Sequence, residues 1–151
     1  MSSSQLPRPT HVVTCFLMRV DFPTPHILIV RRSERVGSYH AHWAGISGFI
    51  EPGVTPEEQA YTEILEETGL GHDLVRLLKR GTIVEHIDEE IGRHFYIHPF
   101  LFEVALPELV KTDWEATEMR WIEPGDLSNF VTVPKLREVF VAAVNGGDAI
   151  P

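Results

Sequence analysis

The run Gly48-Phe49-Ile50-Glu51-Pro52-Gly53-Val54-Thr55-Pro56-Glu57-Glu58-Gln59-Ala60-Tyr61-Thr62-Glu63-Ile64-Leu65-Glu66-Glu67-Thr68-Gly69-Leu70 decides how the rest of this chain is read. It has the marks of a loop, a short helix and a turn. Thr55 followed by Glu58 forms a capping box, Pro56 falls at the first helical position, and Gly69 is a C-terminal stop. At about 100° per residue, Glu63, Glu66 and Glu67 fall within an arc of roughly 100°, and Ala60, Tyr61, Ile64, Leu65 and Thr68 take the other side. Like charges at these spacings repel by a few tenths of a kcal/mol per pair. A cation among them would neutralise the face, and an all-oxygen ligand set suits Mg²⁺ or Mn²⁺. The plainer alternative is a solvated acidic face.

The order of residues resembles the Nudix box, written G-x5-E-x7-R-E-U-x-E-E-x-G-U with U aliphatic. Gly48, Glu63, Ile64, Glu66, Glu67, Gly69 and Leu70 match it at the required spacing. Two positions depart from it, since Val54 stands where the first Glu belongs and Thr62 where the Arg belongs. The resemblance implies an α/β/α sandwich with a mixed β-sheet between helices and the box helix on one face. It further implies a metal-dependent hydrolase that cleaves a diphosphate linkage in a nucleoside diphosphate joined to another moiety. Carried over by position, Glu63, Glu66 and Glu67 are the metal ligands, Glu66 and Glu67 have catalytic roles, and Gly48 offers backbone to the substrate. Val54 and Thr62 keep a second reading open, a catalytically weak module that binds a nucleotide or sugar phosphate in a regulatory role.

Outward from the box, residues 10–20 and 27–31 are β-branched and apolar runs around the turn-forming Asp21-Phe22-Pro23-Thr24-Pro25, which predicts a hairpin. Arg31 and Arg32 close its second strand, where a guanidinium could reach a substrate phosphate. A polar loop, residues 33–42, then leads to the box. Beyond the box, residues 77–87 and 93–104 have strand character. In residues 94–102 both alternate sets are aromatic or aliphatic, which predicts a central strand with a local break at Pro99. Residues 119–122 form a further short strand, and residues 134–144 a closing amphipathic helix stopped by Gly146-Gly147. The segment Trp121-Ile122-Glu123-Pro124-Gly125-Asp126-Leu127 extends the family resemblance weakly toward the end of the chain.

Many members of the family use a further acidic residue from a loop before a late strand, and Glu115 and Glu118 are its natural candidates here. Glu85, Glu89 and Glu90 are weaker ones. The histidines at 40, 42, 86, 94 and 98 follow no known ligand spacing. Tyr39, Trp43, Tyr96 and Trp114 could stack a base, with Tyr96 the favoured contact, although aromatic residues in strands usually belong to the core.

With 151 residues, 43% of them hydrophobic, the chain suits one domain over residues 10–146 between tails at 1–9 and 147–151. A net charge of −9 disfavours a duplex nucleic acid partner and leaves a small nucleotide-type substrate, whose phosphates a metal brings to an acidic site. Cys15 is the single cysteine and cannot form an internal disulfide. No apolar stretch reaches the roughly 18 residues of a membrane span, and a cytosolic location is expected. A homodimer is compatible with the sequence, which carries no mark of oligomeric state.

Overall fold

The computed structural model describes residues 6–148. Its strands are β1 (Arg8–Arg19), β2 (His26–Arg32), β3 (Trp43–Ala44), β4 (Ile46–Phe49), β5 (Val75–Arg80), β6 (Val84–Asp88), β7 (Arg93–Val104), β8 (Ala116–Ile122) and β9 (Gly147–Asp148). Two α-helices, α1 (Pro56–Thr68) and α2 (Leu136–Val144), complete the architecture with three single or double turns of 3-10 helix. Along the sheet the order is β3-β2-β1-β7-β5-β9, with β4 on β1, β6 on β7 and β8 on β2. Among the described strands, β1 and β7 run parallel, from Arg8↔Arg93 to Met18↔Glu103, and the other strand pairings are antiparallel, with one isolated parallel bridge at Trp43↔Thr132. The sheet is therefore mixed, as expected.

Each face of this sheet has its own core. Val13, Cys15, Leu17, Phe100 and Phe102 pack with Ala60 and Ile64 of α1. Phe16, Ile27, Ile29, Ile97 and Leu101 pack with Leu136, Val139 and Ala143 of α2. This is the α/β/α sandwich, and alternation along β1 and β7 builds it, since neighbouring residues point to opposite faces.

Several boundaries differ from the sequence reading. The run 77–87 is two strands because Gly81 passes so close to α2 that a Cβ there would lie 2.6 Å from the Ala142 carbonyl oxygen. Pro99 breaks nothing in β7. It stands where the antiparallel partner changes from β6, which pairs 93–97, to β5, which pairs 100–104, and its carbonyl accepts from Gly81 N–H at 2.9 Å. β1 starts at Arg8, two residues into the anticipated tail, where Arg8 N–H donates to the Gly92 carbonyl at 2.9 Å. Gly147 and Asp148 pair with β5, and Lys79 Nζ meets Asp148 Oδ1 at 2.6 Å, so the sheet extends past the anticipated boundary. The remaining tail residues, 1–5 and 149–151, lie outside the described part. Helix α2 starts at Leu136 because Lys135 adopts a left-handed φ of 63°.

The hairpin β1–β2 is present but short, with Met18↔Ile27 and Arg19↔His26 as its ladder. Earlier in β1, Val12 to Cys15 pair with β4 instead. The sheet forks here. Gly45 carries the chain from β3 on β2 to β4 on β1, so close that a Cβ would lie 3.0 Å from the Cys15 carbonyl oxygen.

Candidate active site

A cavity of about 520 Å³ opens in this fork, between Thr14 of β1, Val30 and Arg32 of β2 and Gly48 of β4. One wall is acidic, with Glu63, Glu66 and Glu67 from α1 and Glu115 from the segment before β8. Another part of the lining is apolar and includes Val12, Phe95, Ile97 and Val133.

Helix α1 is held as its sequence requires. Thr55 Oγ1 accepts from Glu58 N–H at 3.1 Å and Glu58 Oε1 accepts from Thr55 N–H at 3.3 Å. Gly69 ends the helix at φ 78°, donating its N–H to the Leu65 carbonyl at 2.9 Å. Ala60, Ile64 and Thr68 are buried as expected, whereas Leu65 is 53% exposed because its position falls off the stripe that meets the sheet. Glu67 flanks that stripe and is buried, while Glu66, at the far edge of the acidic arc, stays in solvent. The three carboxylates share a helix face but occupy different depths.

Depth sets their chemistry. Glu67 is 9% exposed, its Oε2 has no hydrogen-bond partner, and burial together with a hydrogen bond to Glu63 and the charge of Glu115 pushes its pKa up to about 10. Glu63 is also raised by burial, with hydrogen bonds from Glu67 and Gln59 acting in the opposite direction. Its carboxyl lies against Gly48, and a Cβ at residue 48 would collide with it. Gly48 therefore serves the site by leaving room for Glu63.

Arg31 and Arg32 are adjacent in β2 and point to opposite faces, and the register shifts between them, since Arg31 pairs with Glu118 but Arg32 with Ala116. Arg32 enters the cavity, where its Nε donates to the Ser38 carbonyl at 2.9 Å. Burial lowers its pKa while Glu67 and Glu115 act to raise it. Arg31 is outside the cavity lining, bonded to Glu118 Oε1 at 3.1 Å and the Ala41 carbonyl at 3.3 Å. Glu115 and Glu118 divide the same way. Glu115 borders the cavity, its pKa raised by burial and then by Asp113, and its backbone carbonyl accepts from Ser33 N–H at 2.8 Å. Glu118 is engaged by Arg31 and by Arg120 at 3.4 Å.

Tyr96 is away from the cavity. It lies on the other face of β7 from Phe95 and Ile97, stacked between His11 at 4.8 Å and His94 at 4.4 Å. Trp43 is buried in the core, whereas Tyr39, Trp114 and His86 border the cavity. Glu85 binds His94 Nε2 at 2.9 Å, and Glu89 and Glu90 are exposed at the β6–β7 turn. The histidines are dispersed: His40 bonds the Val36 carbonyl, His42 the His40 carbonyl and His98 the ring of His11.

Three contributors escape the sequence reading, and a fourth, Tyr39, makes a contact other than the base stacking expected of it. Gln59, 2% exposed, bonds Glu51 N–H and Glu63. Asp113 sits beside Glu115 and accepts its N–H at 2.9 Å. Arg35 reaches the cavity rim over the Trp114 ring, 5.2 Å from its centroid. Tyr39, at φ 52°, donates its hydroxyl to Asp88 Oδ2 at 2.6 Å and ties loop 33–42 to β6. A polar residue beside Ala60 and four before Glu63 was the available signal for Gln59.

Among the described residues, no three His, Cys, Asp or Glu side chains are gathered at metal-ligand spacing. The donor chemistry nevertheless fits a hard divalent cation. Glu67 Oε2 is a buried acceptor without a partner, Glu63 bonds the same residue, and the converging groups are all carboxylates.

This α/β/α sandwich, with a carboxylate-lined cleft at the fork of its sheet, has counterparts among solved structures. Two solved structures share it: the MutT protein from Methanosarcina mazei Go1, with a TM-score of 0.72, 20% identity and coverage of 91% of this chain and 94% of that one, and a C. elegans Ap4A hydrolase in a binary complex, with a TM-score of 0.74, 15% identity and coverage of 88% and 93%. The family model of the NUDIX domain matches residues 8–143, and this chain belongs to that family. An RNA pyrophosphohydrolase of Erythrobacter litoralis (strain HTCC2594) is 30% identical over 132 residues, covering 77% of this chain and 80% of the relative. Together these matches indicate an enzyme of the Nudix pyrophosphohydrolase type. Among the described residues, no helix is long and apolar enough to cross a membrane.

Proposed function

We propose that the protein is a divalent-metal-dependent hydrolase of a nucleoside diphosphate joined to a second group, with Mg²⁺ or Mn²⁺ as the ion. The observation that carries this reading is the buried, unpartnered Glu67 oxygen in a cavity that Glu63, Glu66 and Glu115 also border. Glu63, Glu66 and Glu67 would hold the ion, which when bound supplies Lewis acidity toward the diphosphate.

The chain's own groups account for the remaining roles. Arg32, anchored on the Ser38 carbonyl, offers guanidinium donors to a phosphoryl oxygen. Arg31, engaged with Glu118, has no such access, so Arg32 is the phosphate contact. Water adds to one phosphorus, the bridging P–O bond breaks, and Glu115 takes the proton. Its raised pKa makes it a better proton acceptor than a solvated glutamate. The apolar wall of Val12, Phe95, Ile97 and Val133 receives the uncharged, flat part of the substrate.

The test is product analysis on a panel of nucleotide sugars, dinucleoside polyphosphates and RNA, the last prompted by the name of the bacterial relative. Cleavage into two phosphorylated products with Mg²⁺ or Mn²⁺, abolished by EDTA, is the expected result. Saturable binding of panel members with no cleavage would overturn it and favour the non-catalytic module to which Val54 and Thr62 point.

A further inference from the structure

We infer that Gln59 is the positioning residue that holds the Glu63 carboxylate ready for its ion, by clamping it between α1 and the loop that precedes the helix. The inference rests on the reading of Glu63 as a ligand and adds a residue that the box pattern leaves unspecified.

Gln59 lies one helical turn before Glu63 and is 2% exposed. A buried primary amide must place both of its ends. Its Oε1 accepts from Glu51 N–H at 3.1 Å and its Nε2 donates to Glu63 Oε2 at 2.8 Å. The partners themselves fix which way round the amide sits. Glu51 N–H can only donate and so requires the oxygen, which leaves the nitrogen for the carboxylate.

The other side of Glu63 is closed as well. Its carboxyl and Cγ lie where a Cβ on Gly48 would have to be. The β4 backbone thus restrains one side of the group and the Gln59 amide the other. A glutamate on an exposed helix face samples several rotamers, and ligand groups act well only when their orientation is set by neighbours. Neither Val54 nor Thr62 contributes to this clamp. Thr62 Oγ1 donates to the Glu58 carbonyl at 3.1 Å, and Val54 N–H to the Glu51 carbonyl at 3.1 Å.

Removing the Nε2 donor should loosen Glu63 without touching any ligand atom. Loss of such a supporting hydrogen bond typically lowers metal affinity or activity by about 10- to 100-fold. Gln59→Leu removes both bonds. Gln59→Glu keeps an acceptor for Glu51 N–H and the side-chain volume while removing the amide donor, and so remains informative if the leucine variant folds poorly.

The experiment titrates Mn²⁺ by electron paramagnetic resonance into the wild type, Gln59→Leu, Gln59→Glu, Glu63→Gln and the Gln59→Leu/Glu63→Gln double variant, with circular dichroism melts as the folding control. Expected are losses of about 10- to 100-fold in Mn²⁺ affinity for both Gln59 variants, with less than about 2-fold further loss when Gln59→Leu is added to Glu63→Gln. Wild-type affinity in a folded Gln59 variant would overturn the inference. So would an equal Gln59→Leu loss in both backgrounds, which would show an effect passing through the loop and not through Glu63. Should Glu63→Gln bind Mn²⁺ like the wild type, the ligand reading of Glu63 fails first and the inference falls with it.

Discussion

Arg31 and Arg32 are neighbours in β2, and Glu115 and Glu118 are three residues apart before and within β8, yet Arg31 with Glu118 and Arg32 with Glu115 meet different neighbours. Arg31 and Glu118 form an ion pair at 3.1 Å with side chains 42% and 41% exposed. Arg32 and Glu115 face the cavity with Glu67, and burial shifts the pKa of all three. A solvated pair of this kind contributes about 0–1 kcal/mol and is screened by salt. A cluster built around a buried carboxyl, as this one is around Glu67, stores a larger electrostatic free energy that a ligand can release. The pleat of β2 sends the adjacent Arg31 and Arg32 to opposite faces, and the register shift, with Thr117 as the extra residue of β8, sets which β8 residue meets each.

The strongest challenge to this contrast is Glu67→Gln, which should abolish Mg²⁺-dependent turnover and the Mg²⁺-induced rise in Tm. In EDTA the same variant tests the pKa directly. A folded-state value of about 10 against an ordinary 4.5 means that the native protein binds more protons than the unfolded chain between those values. Stability from this group is therefore complete below about pH 4.5 and falls as pH rises toward 10, by at most about 1.4 kcal/mol per pH unit. Urea melts at pH 5, 7 and 9 should show a decline that Glu67→Gln flattens. An unchanged slope would place Glu67 in solvent.

Next in size is the division between the two late glutamates. Glu115→Gln should lower kcat by about 10²- to 10⁴-fold, and Glu118→Gln should leave it within about 2-fold of wild type. Equal losses in steady-state assays would break the comparison. Smaller again, Arg32→Ala should raise KM by about 10-fold through loss of a charge-assisted hydrogen bond, while Arg31→Ala should cost less than about 1 kcal/mol of stability and leave KM alone.

The smallest effect concerns the box departures. Thr62 is exposed and Val54 half-buried. An ion pair restored by Val54→Glu with Thr62→Arg would thus resemble the solvated pair more than the buried cluster. A double-mutant cycle in urea should give a coupling of about 0.2–1 kcal/mol. This is less than the several kcal/mol that a buried partner left alone would cost, and a coupling near zero would show that the two positions do not interact.

What the sequence revealed and what it hid follow from range. The ends of α1 and its acidic face depend on contacts three or four residues apart, so Thr55, Glu58, Gly69 and the three glutamates were legible directly. The central position of β7 was legible from apolar residues in both alternate sets. That Arg31 and Arg32 point to opposite faces follows from strand alternation, but which face carries the cavity, and which late glutamate borders it, depends on pairing between strands distant in sequence. That Tyr96 lies away from the cavity is hidden for the same reason, since its face is set by pairing to β1 and β6. Leu65 was assigned to the wrong side because a helix stripe narrower than half the circumference meets this sheet. The role of Gln59 required knowing where the Glu51 amide would be.

The parallel ladder from Arg8↔Arg93 to Met18↔Glu103 has a consequence for how the molecule is made. Its partners are 85 residues apart throughout, so the chain must close a long loop before its two central strands can reward one another. A nascent chain that has emerged only as far as α1 holds β1 with one edge unpaired and its apolar residues uncovered. Antiparallel pairing with β4 occupies the other edge, through Val12 to Cys15, and closes a much shorter loop than the pairing with β7. The fork that later opens the active-site cleft thus also gives the first strand an early partner while it waits for β7.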